Sequence, residues 1–147
     1  MRITICGSIA FIDKMIEHKI ALEQMGHEVF IPSFQARDEK GNAITPEEFY
    51  RIRHSDKMEL KWFEDEKSRA MGEHFELIEG SDAVLIVNYA KNDILGYIGG
   101  NTLMEMGLAF HLKKKIYLFD IIPEISYKEE IIGMKPILIE GNLAKVS

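Results

Sequence analysis

The sequence has little cysteine, little proline and no long apolar run. Its one cysteine, Cys6, excludes an internal disulfide, and Cys6 has no cluster of histidine partners that would predict a zinc site. The longest apolar run, residues 83–87, is far below the roughly 20 residues that cross a bilayer, so we expect no transmembrane helix. Asp13 and Lys14 follow the apolar start of the chain without a cleavage site, which argues against export. We therefore expect a cytoplasmic protein.

An excess of basic charge is also missing. The chain has 18 Lys and Arg against 24 Asp and Glu, a net charge of −6, and no basic stripe that would bind polymeric DNA or RNA. Its 147 residues, 46% hydrophobic and 29% charged, match one ordinary globular domain, 1–147. Disorder and collagen-like repeats are excluded by the same composition.

The apolar pattern predicts the element order β-α-β-α-α-β-α-β-α-β. Short β-branched runs predict strands and i, i+3, i+4 spacing predicts helices. The strands are expected at residues 3–6, 27–32, 83–88, 116–119 and 137–139, and the helices at 12–25, within 46–78 and at 101–112. A short last helix is expected after Ser126, which would cap it. This order predicts an α/β fold, an open parallel five-stranded sheet with helices on both faces.

The segment between the second and third predicted strands is polar at first and then helical. Residues 33–43 are predicted to form a surface loop because they are polar and contain Gly41-Asn42. Thr45-Pro46-Glu47-Glu48 predicts a helix start with a capping box. The helical composition continues to residue 78, and Gly72 is expected to divide it into two helices.

Two loops are candidates for a ligand site, since open α/β sheets bind ligands at the carboxyl ends of strands where the strand order reverses. The first is Gly7-Ser8-Ile9-Ala10-Phe11, and the second spans residues 88–101. Gly7 would permit close approach of the backbone, and the hydroxyl and amides at Ser8 suit an anion or a sugar hydroxyl. The alternative is a simple turn followed by a helix cap.

Glu105 is the main candidate for chemistry. It lies among apolar residues on a helix that is predicted to be buried, and a buried carboxylate is costly unless it is paired or used. The alternative is a capping box with Thr102, three residues earlier. Gly107 and Ala109 are expected to let this helix approach the sheet closely.

Three segments carry a resemblance to a known family. They are Cys6-Gly7-Ser8-Ile9, the strand Ser81-Asp82-Ala83-Val84-Leu85-Ile86-Val87, and Gly99-Gly100-Asn101-Thr102-x-x-Glu105-Met106-Gly107-Leu108-Ala109 followed by Lys115-Ile116-Tyr117-Leu118. These segments resemble the nucleoside 2-deoxyribosyltransferase superfamily, which includes the 2′-deoxynucleoside 5′-monophosphate N-hydrolases. The resemblance implies a flavodoxin-like fold, Glu105 as the nucleophile, no metal or organic cofactor, and a homo-oligomer.

The chain also departs from that family. His74 stands where the family usually has an aspartate, and Gly99 and Gly100 stand where the transferases often carry an acid. His74 is therefore predicted as a proton donor or substrate contact, with a histidine on a packing face as the alternative. Because Gly99 and Gly100 lack the acidic group of the transferases, the choice of substrate stays open.

The remaining predicted contacts lie at the ends of the two loops. Asn88 and Tyr89 are predicted to bind or stack on a nucleobase, and the alternative is a loop-closing amide with a half-buried ring. With them, the substrate pocket is predicted to include Gly7, Ser8, Ile9, Gly100 and Asn101.

The resemblance implies an enzyme that cleaves or transfers at the N-glycosidic bond of a small-molecule nucleoside or nucleotide through a covalent glycosyl-glutamate intermediate. A non-catalytic nucleotide-binding or sensing domain on the same fold is the alternative. An FMN carrier is disfavoured because the first loop lacks a run of Ser and Thr hydroxyls.

Overall fold

The computed structural model describes residues 1–33, 36–55 and 60–147. The strands are β1 (Arg2–Gly7), β2 (Glu28–Phe30), β3 (Ala36–Arg37), β4 (Ala43–Ile44), β5 (Ala83–Val87), β6 (Lys115–Leu118) and β7 (Ile137–Leu138). The helices are α1 (Ile12–Gln24), α2 (Pro46–Arg53), α3 (Leu60–Glu79), α4 (Gly100–His111) and α5 (Lys128–Gly133). The chain divides into two compact units, Met1–Ile31 with Leu77–Ser147, and Pro32–Glu76. One domain over 1–147 stays a prediction.

The first unit contains a five-stranded parallel sheet. Its strands lie in the order β2-β1-β5-β6-β7, and every pairing is parallel. Counted along this sheet alone, the order is the flavodoxin-like 2-1-3-4-5, which reverses between β1 and β5. The predicted open parallel sheet is therefore confirmed.

The apolar runs of the sequence become the centre of this sheet. All five residues of β5 are buried, as expected for a central parallel strand covered on both faces. Ile3 and Ile5 of β1 are also fully buried. Helix α1 packs on β1 and β2, and α4 packs on β1, β5 and β6. Both helices connect neighbouring parallel strands, as the βαβ pattern requires.

Two expectations for the end of the chain have different outcomes. The predicted edge strand is confirmed as β7, which pairs with β6 alone. Ser126 was expected to cap the last helix, and this is wrong. Helix α5 begins at Lys128 after Tyr127, which makes no side-chain capping bond.

No helix in the described part of the chain is both long enough and apolar enough to span a membrane.

The second unit contains a small hairpin that the sequence analysis predicted as loop. β3 and β4 pair antiparallel, so the expectation of an irregular loop over residues 33–43 is wrong for these positions. The side chain of Asp38 accepts hydrogen bonds from the N–H groups of Lys40 and Asn42, at 2.9 and 2.8 Å. Those bonds close the turn between the two strands, as aspartate commonly does in turns.

The second unit contains two helices, as predicted, but the division between them is not at Gly72. Thr45 and Glu48 form the predicted capping box at the start of α2. A break at Gly72 is wrong, because α3 runs through that residue without interruption. Arg69 bonds to Glu66 and Glu73 on the same helix, one turn away on either side. Such pairs offset part of the cost of a helical glycine, which is about 1 kcal/mol.

Glu66 links the hairpin and α3 within the second unit. Its carboxylate accepts hydrogen bonds from the guanidinium of Arg69, at 2.9 Å, and from the N–H of Arg37, at 3.1 Å. The bond from Arg69 is the main reason that the pKa of Glu66 lies below its ordinary value, and the Arg37 N–H adds to it. Trp62 belongs to the same unit, and its indole N–H donates to the Arg37 carbonyl at 2.8 Å.

We expect Glu66→Gln to destabilise the second unit by about 1 kcal/mol at neutral pH, the scale of one hydrogen bond to a charged group near the surface. Because the folded pKa is lowered, the carboxylate contributes stability above its unfolded pKa and loses it as pH falls through the folded pKa. The variant should therefore lose less stability than the wild type on acidification. Fluorescence of the single tryptophan, Trp62, measures this unfolding. Glu64→Gln, at an exposed position of α3, is the control and should leave the pH dependence unchanged.

Candidate functional site

The two candidate loops leave the sheet side by side. Gly7 ends β1, Val87 ends β5, and the two residues are paired in register. A Cβ atom at Gly7 would lie 2.6 Å from the Val87 carbonyl oxygen and 2.8 Å from the Met15 side chain. Glycine is thus required for the packing of β1 against β5 and α1. The loops that follow these strands lie at the point where the strand order reverses, as predicted.

The first loop is a turn that Ser8 caps. The Ser8 hydroxyl accepts a hydrogen bond from the N–H of Ala10, at 3.4 Å, at the start of a 3-10 turn over Ile9–Phe11. This contact fits the turn-and-cap alternative. The same hydroxyl also accepts a hydrogen bond from Lys91 of the second loop, at 2.9 Å. Ile9 is 43% exposed, so its side chain is accessible to a ligand.

The second loop folds back on itself as a tight turn. Lys91 and Ile94 exchange backbone hydrogen bonds of 3.1 and 3.0 Å, and the N–H of Tyr97 donates to the Tyr89 carbonyl. Asn92 and Asp93, between them, have φ values of 53° and 59°. Positive φ at both central residues is the geometry of a type I′ turn, which Asn and Asp tolerate better than most residues.

Asn88 holds this turn against the loop that follows β6. Its amide nitrogen donates to the carbonyls of Gly96 and Ile121, at 3.1 and 2.8 Å, and its carbonyl oxygen accepts from the N–H of Asp120, at 2.8 Å. Its side chain is fully buried. These contacts fit the loop-closing alternative, while contact with a nucleobase stays a prediction.

We expect Asn88→Asp to destabilise the protein by about 3 kcal/mol or more, because a carboxylate oxygen would face two carbonyl oxygens in a buried position. Asn88→Ala should cost less, about 2 kcal/mol, since it removes the bonds without adding repulsion. Chemical denaturation measures both variants. Asn142→Asp is the control, because exposed Asn142 uses only its carbonyl oxygen, which aspartate retains. Equal losses for Asp and Ala at position 88 would contradict the expectation.

Glu105 lies inside α4 and is not a capping residue. The helix begins at Gly100 with Gly99 as its N-cap, so Thr102 lies within the first turn and the alternative of a capping box is wrong. Glu105 is 2% exposed. Asn101, one turn earlier, donates its side-chain N–H to Glu105 Oε1 at 3.2 Å. Asn101 therefore holds the carboxylate in place, and its predicted contact with a substrate stays a prediction.

Cys6 of β1 is the second partner of Glu105. The Cys6 sulfur and a carboxylate oxygen of Glu105 lie within 4.8 Å, and the two side chains share a hydrogen bond. Burial is the main cause that raises the pKa of the Cys6 thiol, and the negative charge of Glu105 and this hydrogen bond raise it further. A neutral thiol donates to a carboxylate. Cys6 and Asn101 therefore both restrict the orientation of the Glu105 side chain.

The two small residues after Glu105 differ in their packing. A Cβ at Gly107 would have no atom within 4 Å, so the expectation that Gly107 brings the helix close to the sheet is wrong. Ala109, by contrast, is fully buried. Gly100 also has no neighbour within 4 Å of a Cβ and is exposed as the first residue of α4.

Tyr89 forms an aromatic cluster beside the loops. Its hydroxyl lies 2.9 Å from His18 Nε2, and its ring contacts those of Phe11, Phe119 and His18. Burial raises the pKa of Tyr89 and lowers the pKa of His18, so both side chains are kept neutral at pH 7. The half-buried ring fits one of the two alternatives for Tyr89, and stacking on a base stays a prediction.

His74 belongs to the second unit. It lies on α3 and is 4% exposed. Its role as proton donor or substrate contact stays a prediction, as does the expectation of a reaction without metal or organic cofactor.

Three residues of the first unit were not predicted to belong to the site. Lys91 contacts Ser8, Cys6 contacts Glu105, and His18 contacts Tyr89. The position of Lys91, four residues after the end of the buried strand β5, is a signal in the sequence. Neither Cys6 nor His18 has such a signal, because strand register and helix orientation bring each to its partner.

The fold is similar to that of the 2-deoxyribosyltransferase from the psychrotolerant bacterium Bacillus psychrosaccharolyticus, with a TM-score of 0.50. The two chains are 16% identical, and the match covers 83% of this chain and 77% of that one. That enzyme is described as a biocatalyst for the synthesis of antiviral and antitumoral nucleosides. No family model matches the sequence, and no curated protein matches it significantly. The likeness confirms the predicted flavodoxin-like fold, and at this identity it establishes the fold alone.

Proposed function

We propose that the protein is a nucleoside 2-deoxyribosyltransferase-like enzyme that cleaves or transfers at the N-glycosidic bond of a nucleoside or nucleotide. One observation carries the proposal: a carboxylate, Glu105, is 2% exposed and held by Asn101 and Cys6 on the helix packed against β1 and β5. A carboxylate in such a position is costly to the fold, which is typical of a group retained for chemistry. The fold shared with a deoxyribosyltransferase and the motif around Glu105 support the same activity.

The proposed reaction has two steps. A carboxylate oxygen of Glu105 attacks the anomeric carbon, and the C–N bond breaks with its electron pair leaving on the base. An acid gives the leaving base a proton, and His74 is our candidate for that acid. Water or a second base then attacks the glycosyl ester and releases Glu105. No metal or organic cofactor takes part in this proposal.

The two donors to Glu105 have a specific task in this mechanism. Asn101 donates to Oε1 and Cys6 shares a hydrogen bond with the carboxylate, so both restrict the orientation of the nucleophile. A nucleophile held in its reactive orientation loses little entropy in the transition state. Ile9 and Tyr89 supply apolar and aromatic surface for the substrate at the mouth of the two loops.

The test is chromatography of the products formed from a panel of ribo- and deoxynucleosides and their 5′-monophosphates, each with and without a different free base. Release of free base alone would identify a hydrolase, and formation of a new nucleoside a transferase. Absence of turnover on every member of the panel would contradict the proposal. Calorimetric binding of a nucleotide without turnover would then support the alternative, a non-catalytic nucleotide-binding or sensing domain.

A further inference from the structure

Cys6 and Glu105 form a hydrogen-bonded pair in the interior of the first unit. Cys6 is fully buried on β1, Glu105 is buried on α4, and the two side chains share a hydrogen bond. A carboxylate only accepts hydrogen bonds, so the thiol is the donor. Burial is the main reason that the pKa of Cys6 lies well above its ordinary value, and the thiol therefore keeps its proton at pH 7. The pair is a neutral donor beside an acceptor that carries negative charge.

Cys6 and Asn101 differ as donors to Glu105. Asn101 is exposed in the first turn of α4 and donates an amide N–H to Oε1 at 3.2 Å. The Cys6 thiol is buried, and it has a second acceptor, the Thr4 carbonyl oxygen, 4.0 Å from the sulfur. That carbonyl is neutral, and a hydrogen bond to a charged acceptor is about twice as strong as one to a neutral acceptor. The thiol therefore favours Glu105 most when Glu105 carries its negative charge.

The charge on Glu105 changes twice in the proposed reaction. Attack on the anomeric carbon turns the carboxylate into a neutral ester. In the second step the bond between the anomeric carbon and the Glu105 oxygen breaks, and its electron pair returns to the carboxylate. The attacking water or base bonds to the anomeric carbon and gives its proton to the group that protonated the first base. A donor that prefers the charged carboxylate opposes the first of these changes and favours the second.

We propose that Cys6 is a positioning residue that promotes release of the sugar from Glu105. This inference rests on the proposed function and concerns its second step. The hydrogen bond from the thiol strengthens as negative charge returns to the carboxylate, so it stabilises the transition state of release relative to the glycosyl ester. A thiol suits this task because it is a weak donor, which leaves the free carboxylate nucleophilic enough for the first step.

The test measures the lifetime of the glycosyl adduct by mass spectrometry of enzyme quenched at successive times after a single turnover. We expect the adduct of Cys6→Ala to decay about 10-fold more slowly than that of the wild type, the scale of one hydrogen bond to a charged group. Cys6→Ser has a stronger donor, so its adduct should form more slowly and decay at least as fast as that of the wild type.

The control for this test lies on the same strand. Ile5→Val trims a fully buried side chain on the opposite face of β1 and should leave the lifetime of the adduct unchanged. Slow decay in both Cys6→Ala and Cys6→Ser would mean that packing around β1 sets the lifetime, and would overturn the inference. An adduct that decays equally fast in Cys6→Ala and the wild type would also overturn it, while the proposed function would stand.

A second measurement tests the hydrogen bond itself without catalysis. The chain has one cysteine, so the S–H stretching band in the infrared spectrum of the whole protein arises from Cys6 alone. We expect the wild-type band at the low frequency of a hydrogen-bonded thiol, and a shift to higher frequency in Glu105→Gln, whose neutral amide oxygen is a weaker acceptor. Glu129→Gln, on α5, is the control and should leave the band in place.

The two measurements separate the inference from the proposed function. A band at the frequency of a free thiol, or one that Glu105→Gln does not move, would overturn the inference even in an active enzyme. Absence of turnover on the whole nucleoside panel would contradict the proposed function, and the role of Cys6 in release would be overturned with it. A shifted band together with a longer-lived adduct in Cys6→Ala supports the inference.

Discussion

Replacement of Glu105 by glutamine is expected to abolish cleavage of the N-glycosidic bond while the protein stays folded. Glutamine has nearly the same volume, and its amide oxygen can still accept from Asn101, but it is too weak a nucleophile to attack the anomeric carbon. Loss of a covalent nucleophile lowers kcat by roughly four orders of magnitude or more. The buried position is also freed of its negative charge, so we expect the free energy of unfolding to be unchanged or increased.

The measurement is single-turnover release of the base, together with mass spectrometry of the quenched wild-type enzyme. The wild type should show a glycosyl adduct on Glu105 that the Glu105→Gln variant lacks. Glu129→Gln, on α5 and exposed, is the matched control and should retain full activity. A Glu105→Gln variant that releases base at the wild-type rate would contradict the role of Glu105 as nucleophile.

The fold was predictable from the sequence where burial alone determines an element. β5 is buried on both faces, and its run of five apolar residues predicts a central strand whatever its neighbours are. The end of α1 is similarly local, because Gly26, two residues after its last residue Gln24, has a φ of 90° that few other residues adopt. The order of such elements restricts the sheet to few topologies, since parallel connections have one handedness.

The fold was not predictable where side chains close short turns. β3 and β4 have two residues each, which is too short for any periodicity, and the bonds of Asp38 decide that they pair. The turn at Asn92 and Asp93 depends on positive φ at both residues, and neither residue type requires that conformation. Gly72 was expected to end a helix because propensity disfavours glycine, but the pairs around Arg69 maintain α3.

The candidate site shows the same division between local and tertiary signals. Glu105 was identifiable because a charged carboxylate among the apolar residues of one helix conflicts with the pattern of a buried helix. Its partner Cys6 was not identifiable, since only the packing of α4 on β1 brings the two side chains together. Asn101 was assigned to the site from its position in the motif, and the structure shows that it donates to Glu105. Its contact with a substrate stays a prediction.

Replacement of Gly7 by alanine is expected to destabilise the first unit strongly. The added Cβ would lie 2.6 Å from the carbonyl oxygen of Val87, which is backbone in a central strand and cannot move away at low cost. It would also lie 2.8 Å from Met15, whose flexible side chain can adjust. Separation of β1 from β5 would weaken their hydrogen bonds, so we expect a loss of about 3 kcal/mol or more in the free energy of unfolding.

Gly107→Ala is the matched control because it adds the same methyl group where a Cβ meets no atom within 4 Å. Alanine is the better helix former, so this variant should gain about 0.5 to 1 kcal/mol. Denaturant unfolding followed by circular dichroism measures both changes. Opposite signs for the two substitutions would show that Gly7 is retained for the approach of the two strands whose loops form the site. A stable Gly7→Ala variant would mean that β1 and β5 can separate at this edge, and that the junction of Ser8 with Lys91 is less rigid than the contacts imply.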